Sequence, residues 1–261
     1  MTVVNVYGQL SSEGYITAQA GNGTFVANHR PHLSSSAIRI LENHQPPSVA
    51  APFQLRFLDQ TLFSHRIWAR HRECAWRAPT AGVLALPNPF GWYPLRGAIA
   101  NHLSAWRGLN CRPEQVLINS GAWEALEINF CGILRGDRNV AIEGPGWLTV
   151  REVLGATKTE MFPIRIDKKG FDAERILSGL SAAIVTPCRH YPTGVVMPLS
   201  RQAALLEWAA RQHAIIIEEN YDSEFRYRGR PLPALDGLDC TIYLESFSKV
   251  FSPAMRFGNL V

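Results

Sequence analysis

Lys249 is the residue whose surroundings ask for an explanation first. The 261-residue sequence holds 22 Arg and only four Lys, and three of these (Lys158, Lys168, Lys169) sit in polar or turn-like stretches. Lys249 instead follows a strand-like run, Ile242 to Leu244, within "TIYLESFSKVFSPAMRFGNLV". An ammonium in apolar surroundings is desolvated, so its pKa falls and the free amine becomes a nucleophile toward aldehydes, the chemistry of a Schiff base. A lone lysine more often lays its stem on apolar surface and keeps its head in water. Its neighbours favour the chemical reading: Ser246 stands three residues before it and Arg256 seven after it. A hydroxyl and a guanidinium so placed are suited to holding a phosphate.

Three further stretches supply complementary groups. In "INSGAWEAL", residues 118–126, a strand runs through Ser120, Gly121 and Ala122 into a helix, which leaves backbone N–H groups at a strand end where an anion can lie. In "IEENYDSEFRY", residues 217–227, a buried strand delivers Glu218, Glu219 and Asp222 around Tyr221. Acid clusters at strand ends are usually solvated, but one carboxylate there can face a cationic ring nitrogen. "EGPGW", residues 143–147, sets the indole of Trp147 after a strand and a tight turn, either as core packing or as an aromatic face. A lysine, phosphate anchors, a carboxylate and an aromatic face at one edge of a sheet are what pyridoxal 5'-phosphate requires.

The elements that must position these groups alternate. Helical periodicity runs over about 64–76, 94–106, 122–134, 147–154 and 200–213. Between these segments lie short β-rich runs at 115–119, 139–143, 159–164, 182–187, 214–218 and 241–245. Several are apolar without alternation, as strands covered on both faces are, which predicts an α/β domain with a mostly parallel sheet. Residues 1–27 differ: Val3, Val4, Tyr7 and Leu10 keep a helical period, Gly14 ends it, and "AGNG" separates two strand-like runs as a hairpin turn would. A helix and a hairpin cannot enclose a core, so this unit reads as part of a larger domain. Residues 28–50, with their Pro, Ser and His, read as a linker with a short helical piece around Ile38 to Leu41.

Composition bounds the partners. A net charge of +4 arises from scattered Arg with no dense basic run, which alone is weak support for nucleic acid. The five cysteines are odd in number and never form a C-x-x-C pair, which favours a reducing compartment and argues against a zinc site. No apolar stretch approaches a membrane span, so a soluble cytoplasmic protein without a metal is expected.

The phrases "YPLRGAIANHL", "INSGAWEAL", "HYPTGVVMPLSRQAALLEWA", "IEENYDSEFRYRGRPLPAL" and "SFSKVFSPAMRFG" resemble the large domain of fold-type-I aminotransferases, specifically the aminotransferase-like domain of MocR/GabR-type bacterial transcription regulators. Residues 1–27 resemble the end of a GntR-type winged helix, the latter part of the recognition helix and then the wing. The resemblance implies a partial DNA-binding domain at 1–27, a linker at 28–50 and a cofactor-binding large domain at 51–261. It implies that Lys249 forms the covalent link to pyridoxal phosphate, and that Ser246, Arg256, Ser120, Gly121 and Ala122 hold the phosphate. It also implies that Tyr221 bonds the phenolic oxygen, Trp147 stacks on the ring, and Glu219 replaces the usual aspartate at the ring nitrogen.

The sequence departs from the family at Trp123 and Glu124, where two glutamines are usual, and at Arg189 and His190, where "HQ" is usual; His190 is still counted with the cofactor site. The family's Gly and Pro near residues 53–59 are also absent. The family's first winged-helix elements and its small C-terminal domain do not match any part of the sequence. The reading that follows is a truncated, pyridoxal-phosphate-binding regulator with impaired DNA binding and little or no transaminase turnover. Its expected partners are DNA in the intact family, a small amine or amino-acid effector and a second copy, with no membrane. Two alternatives stand beside it: an amino acid aminotransferase, and an inactive remnant of a disrupted regulator gene.

Overall fold

The computed structural model describes residues 3–27, 59–79, 81–85, 88–134, 139–225, 232–235 and 240–261. The expected linker at 28–50 and most of the 53–59 stretch lie outside these residues. Two compact units divide the chain, Met1–Phe57 and Leu58–Val261.

In the first unit, helix α1 (Val3–Ser12) buries none of its residues. Its end is closed by Tyr15 N–H donating to the Leu10 carbonyl at 2.9 Å. Strands β1 (Ile16–Gln19) and β2 (Gly23–Val26) then pair antiparallel, Ile16 opposite Val26 and Gln19 opposite Gly23. The unit exposes Val3, Val4, Phe25 and Val26, apolar residues that a packed domain would cover.

The second unit is built on a seven-stranded sheet. Helices α2 (His65–Arg77) and α3 (Tyr93–Arg107) precede strand β3 (Leu117–Asn119). Then follow helix α4 (Ala122–Ile128), β4 (Asn139–Gly144), α5 (Leu148–Ala156), β5 (Glu160–Arg165), β6 (Ala182–Val185), α6 (Leu199–Gln212), β7 (Ile215–Asn220), β8 (Thr241–Ser246) and β9 (Gly258–Leu260). The strand order is β3-β9-β8-β7-β6-β4-β5. Strands β8, β7, β6, β4 and β5 are mutually parallel, whereas β9 runs antiparallel to both its neighbours. Strand β3 therefore points the same way as the five.

Helices α4 and α5 cover one face, where Leu126, Val150 and Val153 meet Ile142, Ile184, Ile217 and Leu244. On the other face α6 packs Leu205 and Trp208 on Ala183, Val185 and Ile216, and α3 packs Ile99 and Leu103 on Val116 and Tyr243. Burial on both faces is why these strands carry unbroken apolar runs, and the expected mostly parallel α/β sheet is what forms.

Two departures have local causes. The helical stretch expected over 122–134 ends at Ile128 and continues as a π-turn, Asn129–Ile133. There the buried Asn129 amide donates back to the Ala125 carbonyl at 2.8 Å, and Leu134 N–H reaches five residues back to Asn129. Strand β9 carried no pattern of its own: Gly-Asn-Leu is a strand because β3 and β8 present ladder groups on either side.

Candidate functional site

Because six strands share one direction, their C-terminal ends form one edge, and β9 starts at that edge. Ser246, Gly258 and Asn119 stand in one row, Gly258 paired with Ser246 on one side and Asn119 on the other. Gly258 has no room for a side chain: a Cβ would come within 2.7 Å of Asn119 Oδ1 and of the Glu245 carbonyl, and 3.0 Å from Gly121 Cα. This close approach brings Arg256, two residues before it, over Gly121.

Gly121 begins α4 with φ +116°, a conformation that side-chain-bearing residues rarely adopt. A Cβ there would stand 3.9 Å from Arg256 Cζ, Arg256 Nη2 and Ser246 Oγ alike. A glycine, a hydroxyl and a guanidinium thus bound one small space, a cradle of the size and charge that suits a phosphate. The backbone donors expected to complete it are partly spent. Gly121 N–H donates to Asn119 Oδ1 at 2.8 Å, and Ser120 N–H to Glu124 Oε2 at 2.5 Å. Hydrogen bonds from the Ser120 side chain and N–H, with Arg256 adding to them, hold the Glu124 carboxyl below its usual range. The contribution of Gly121 is therefore space rather than its N–H, a correction to the sequence expectation. Ala122, half-buried, opens the helix beside it. Trp123 does not crowd the cradle, because its indole N–H turns outward to Glu127 Oε1 at 3.0 Å.

Lys249 ends the short 3-10 turn Phe247–Lys249 that follows β8, and it is half-buried. Ser246 caps this turn by accepting from Ser248 N–H at 3.3 Å, and its hydroxyl donates to Ser248 Oγ at 2.8 Å. Lys249 also acts on Asp222: burial raises that carboxyl, while Arg189, at 2.7 Å, and the Lys249 charge pull it back. The Lys249 charge thus reaches the turn after β7.

Glu219 is buried on β7, and its carboxyl is pushed up to about 8 by burial first, then by Glu143 and Asp222. Glu143, pushed to about 7 by its own burial, accepts from Thr186 N–H at 2.9 Å and Thr186 Oγ1 at 2.7 Å. With Trp147, Arg151 and Thr186 these two acids wall a cleft at the strand ends. Two buried carboxyls, with Arg151 half-buried at the cleft wall and the neutral His190 ring 3.7 Å from Glu143, make an acidic pocket that suits a cationic ring nitrogen. Tyr221 is half-buried with its hydroxyl pushed up by burial, Asp222 and Glu219, so it remains a donor, and its ring meets Tyr191 edge-on at 6.2 Å.

His190 is buried and engaged at both nitrogens, Nδ1 with Thr193 Oγ1 at 2.7 Å and Nε2 with the Pro145 carbonyl at 2.9 Å. The carbonyl fixes the Nε2–H tautomer, and burial holds the imidazole below its usual pKa. Its geometry ties the loop before Trp147 to the loop after β6. Sequence reading passed over Glu143, whose signal was a carboxylate closing the apolar run "NVAIE". It also gave Glu218 no distinct role. That residue faces away from the cleft, 3.0 Å from Arg107 Nη2.

Comparison with known proteins agrees with this fold. Residues 54–261 match the family described as aminotransferase class I and II. The chain is 32% identical over 265 residues to the HTH-type pyridoxine biosynthesis transcriptional regulator PdxR of Corynebacterium glutamicum, covering all of this chain and 57% of the relative. It is 31% identical over 284 residues to the probable rhizopine catabolism regulatory protein MocR of Rhizobium meliloti, again covering all of this chain and 57% of the relative. The chain thus spans a little over half the length of these curated relatives. Among solved structures, Pyrococcus horikoshii kynurenine aminotransferase, solved with PMP, superposes with a TM-score of 0.72 at 22% identity, over 89% of this chain and 60% of that one. The α-aminoadipate aminotransferase LysN of Thermus thermophilus gives 0.68 at 21% identity, over 100% of this chain and 62% of that one. At such identity the likeness carries the fold alone. The sheet, the residues gathered at its edge and the match over 54–261 together make the chain a member of the class I and II aminotransferase family.

Proposed function

We propose that the chain binds pyridoxal 5'-phosphate through Lys249 and belongs to a MocR-type transcription regulator. The observation that carries this reading is the cradle where Gly121, Ser246 and Arg256 converge, within reach of the turn that ends in Lys249. Pyridoxal phosphate supplies an aldehyde carbon and a ring that withdraws electrons. The protein's part is positional. Ser246 and Arg256 hold the phosphate, Trp147 covers one ring face, Glu219 answers the ring nitrogen and Tyr221 donates to the phenolic oxygen. His190 braces the Trp147 loop, and Glu143 adds negative charge beside Glu219.

The regulatory half of the reading draws on α1 and its hairpin, which fit the end of a winged helix whose wing approaches a phosphate backbone or a minor groove. It draws also on relatives named as HTH-type regulators. Residues 1–27 would then be the DNA-facing part, 28–50 the linker and 51–261 the sensing domain, working in the cytoplasm as a homodimer with an amine or amino acid as effector.

The test is a titration of the full chain with pyridoxal 5'-phosphate and with pyridoxal. A cradle built for phosphate predicts at least a tenfold preference for the phosphorylated form; equal affinities would overturn the assignment. Sustained production of a keto acid from an amino acid would favour an aminotransferase over a sensor.

A further inference from the structure

On the α3 face of the sheet lies a second cluster of titratable side chains. His102 comes from α3, Glu224 from the turn after β7 and Glu245 from β8, and one ligand atom of each lies within 4.8 Å of the other two. Two of these side chains hold orphaned atoms: His102 Nε2 and Glu224 Oε1 are sealed from solvent and have no hydrogen-bond partner among the described residues. Leaving a buried polar atom unpaired costs about 1–3 kcal/mol, more for a charged group, so two side by side call for a shared partner.

Glu245 is fully buried and firmly held. Its Oε1 accepts from the Asn220 amide at 2.9 Å and the Tyr243 hydroxyl at 3.2 Å, and its Oε2 accepts from the Asn259 amide at 3.2 Å, which leaves a lone pair on Oε2. Burial, then the Glu245 charge, pushes the Glu224 carboxyl up to about 7. The Arg107 guanidinium offsets this only in part: its charge lowers the Glu224 carboxyl, but its Nη1 and Nη2 groups donate to Asn220, Cys188 and Glu218. A proton on Glu224 would ease the repulsion and, donated to His102 Nε2, would pair both orphans, whereas a cation pairs both and also offsets the two carboxylates.

We propose that His102, Glu224 and Glu245 bind one divalent transition-metal ion of the zinc class. One imidazole nitrogen with two carboxylate oxygens is a zinc-type donor set, while magnesium and calcium prefer oxygen alone. Tetrahedral zinc with bonds of about 2.0–2.2 Å sets its ligand atoms roughly 3.3–3.6 Å apart, so side-chain rotation must close the spacing of up to 4.8 Å around the ion. The amides of Asn220 and Asn259 and the Tyr243 hydroxyl orient the buried carboxylate from behind. Because the ligands come from α3, β8 and the turn after β7, the ion would tie that turn, which also carries Tyr221, to the sheet.

Calorimetry of the chelator-stripped full chain with zinc chloride tests it. The expected result is one equivalent of zinc at a micromolar or lower Kd, a rise of several degrees in Tm on binding, and no comparable effect of magnesium chloride. His102→Phe and Glu224→Gln should each weaken zinc at least tenfold, while circular dichroism and the Tm without metal stay at or above the parent's, since Phe removes the unpaired ring nitrogen and the Gln amide removes the carboxylate repulsion with Glu245. A Cys74→Ser/Cys131→Ser chain should bind zinc like the parent. Absence of zinc binding, or undiminished binding in both cluster variants, would overturn the assignment; in the second case the ion sits elsewhere, at the cysteines if that chain loses it.

Discussion

Glu218 and Glu219 are neighbours on β7 yet serve opposite faces of the sheet. Glu218 meets the Arg107 guanidinium at 3.0 Å beneath α3, and Glu219 reaches the cleft beside Trp147. Side chains alternate along a strand, so one residue of register separates a structural ion pair from a cleft-lining acid. Burial alone would weaken the Arg107 charge, but Tyr243, Cys188 and Glu218 around it keep it protonated.

Arg107→Ala should therefore destabilise the fold by about 3–5 kcal/mol, because it strands a buried carboxyl. Urea unfolding checks this. Arg107→Met combined with Glu218→Leu should recover much of the loss, since the stranded charge goes with its partner.

Adjacent acids with separate tasks could not be told apart in "AIIIEEN", because a strand covered on both faces shows no alternation. Other features were legible for a physical reason. Ser246, Lys249 and Arg256 fall within one short stretch, so spacing alone joined them, and long apolar runs marked the parallel strands. Strand β9 and the Arg107–Glu218 pair were not legible: the first is defined by its partners' ladders, the second by residues far apart in sequence. The role of Gly121 was half legible. Its place at a strand end pointed to the phosphate, but its N–H proved committed to Asn119.

Gly121→Ala should lower affinity for pyridoxal phosphate roughly tenfold, about 1–2 kcal/mol, because alanine is strained at positive φ and its methyl enters the cradle. Affinity for pyridoxal, which lacks the phosphate, should change less. Paired titrations of the two ligands read the difference.

Arg256→Ala should weaken pyridoxal phosphate by about 1.5–3 kcal/mol, roughly 10- to 150-fold, the range for a hydrogen bond to a charged group. The same change at Arg211, exposed at the end of α6, serves as the control and should leave the Kd in place.

Stability of the cofactor-free chain should fall as pH rises from about 5 to 8. The fold keeps the Glu219 proton up to about 8, while the unfolded chain releases it near 4.5. The folded state thus binds more protons between these values, and the stability this group contributes is full below the lower one and lost toward the upper. Glu143 and Glu218, both pushed to about 7, act in the same direction. Glu219→Gln should flatten the slope by on the order of 1 kcal/mol or more across that window, measured by urea unfolding at several pH values.

The most direct measurement is where the cofactor becomes attached. The full chain, incubated with pyridoxal phosphate and reduced with borohydride, is digested and its peptides are mapped by mass. A single phosphopyridoxyl group on Lys249, with none on Lys158, Lys168 or Lys169, is the expected result. A Lys249→Ala chain that takes up as much label as the parent would contradict it.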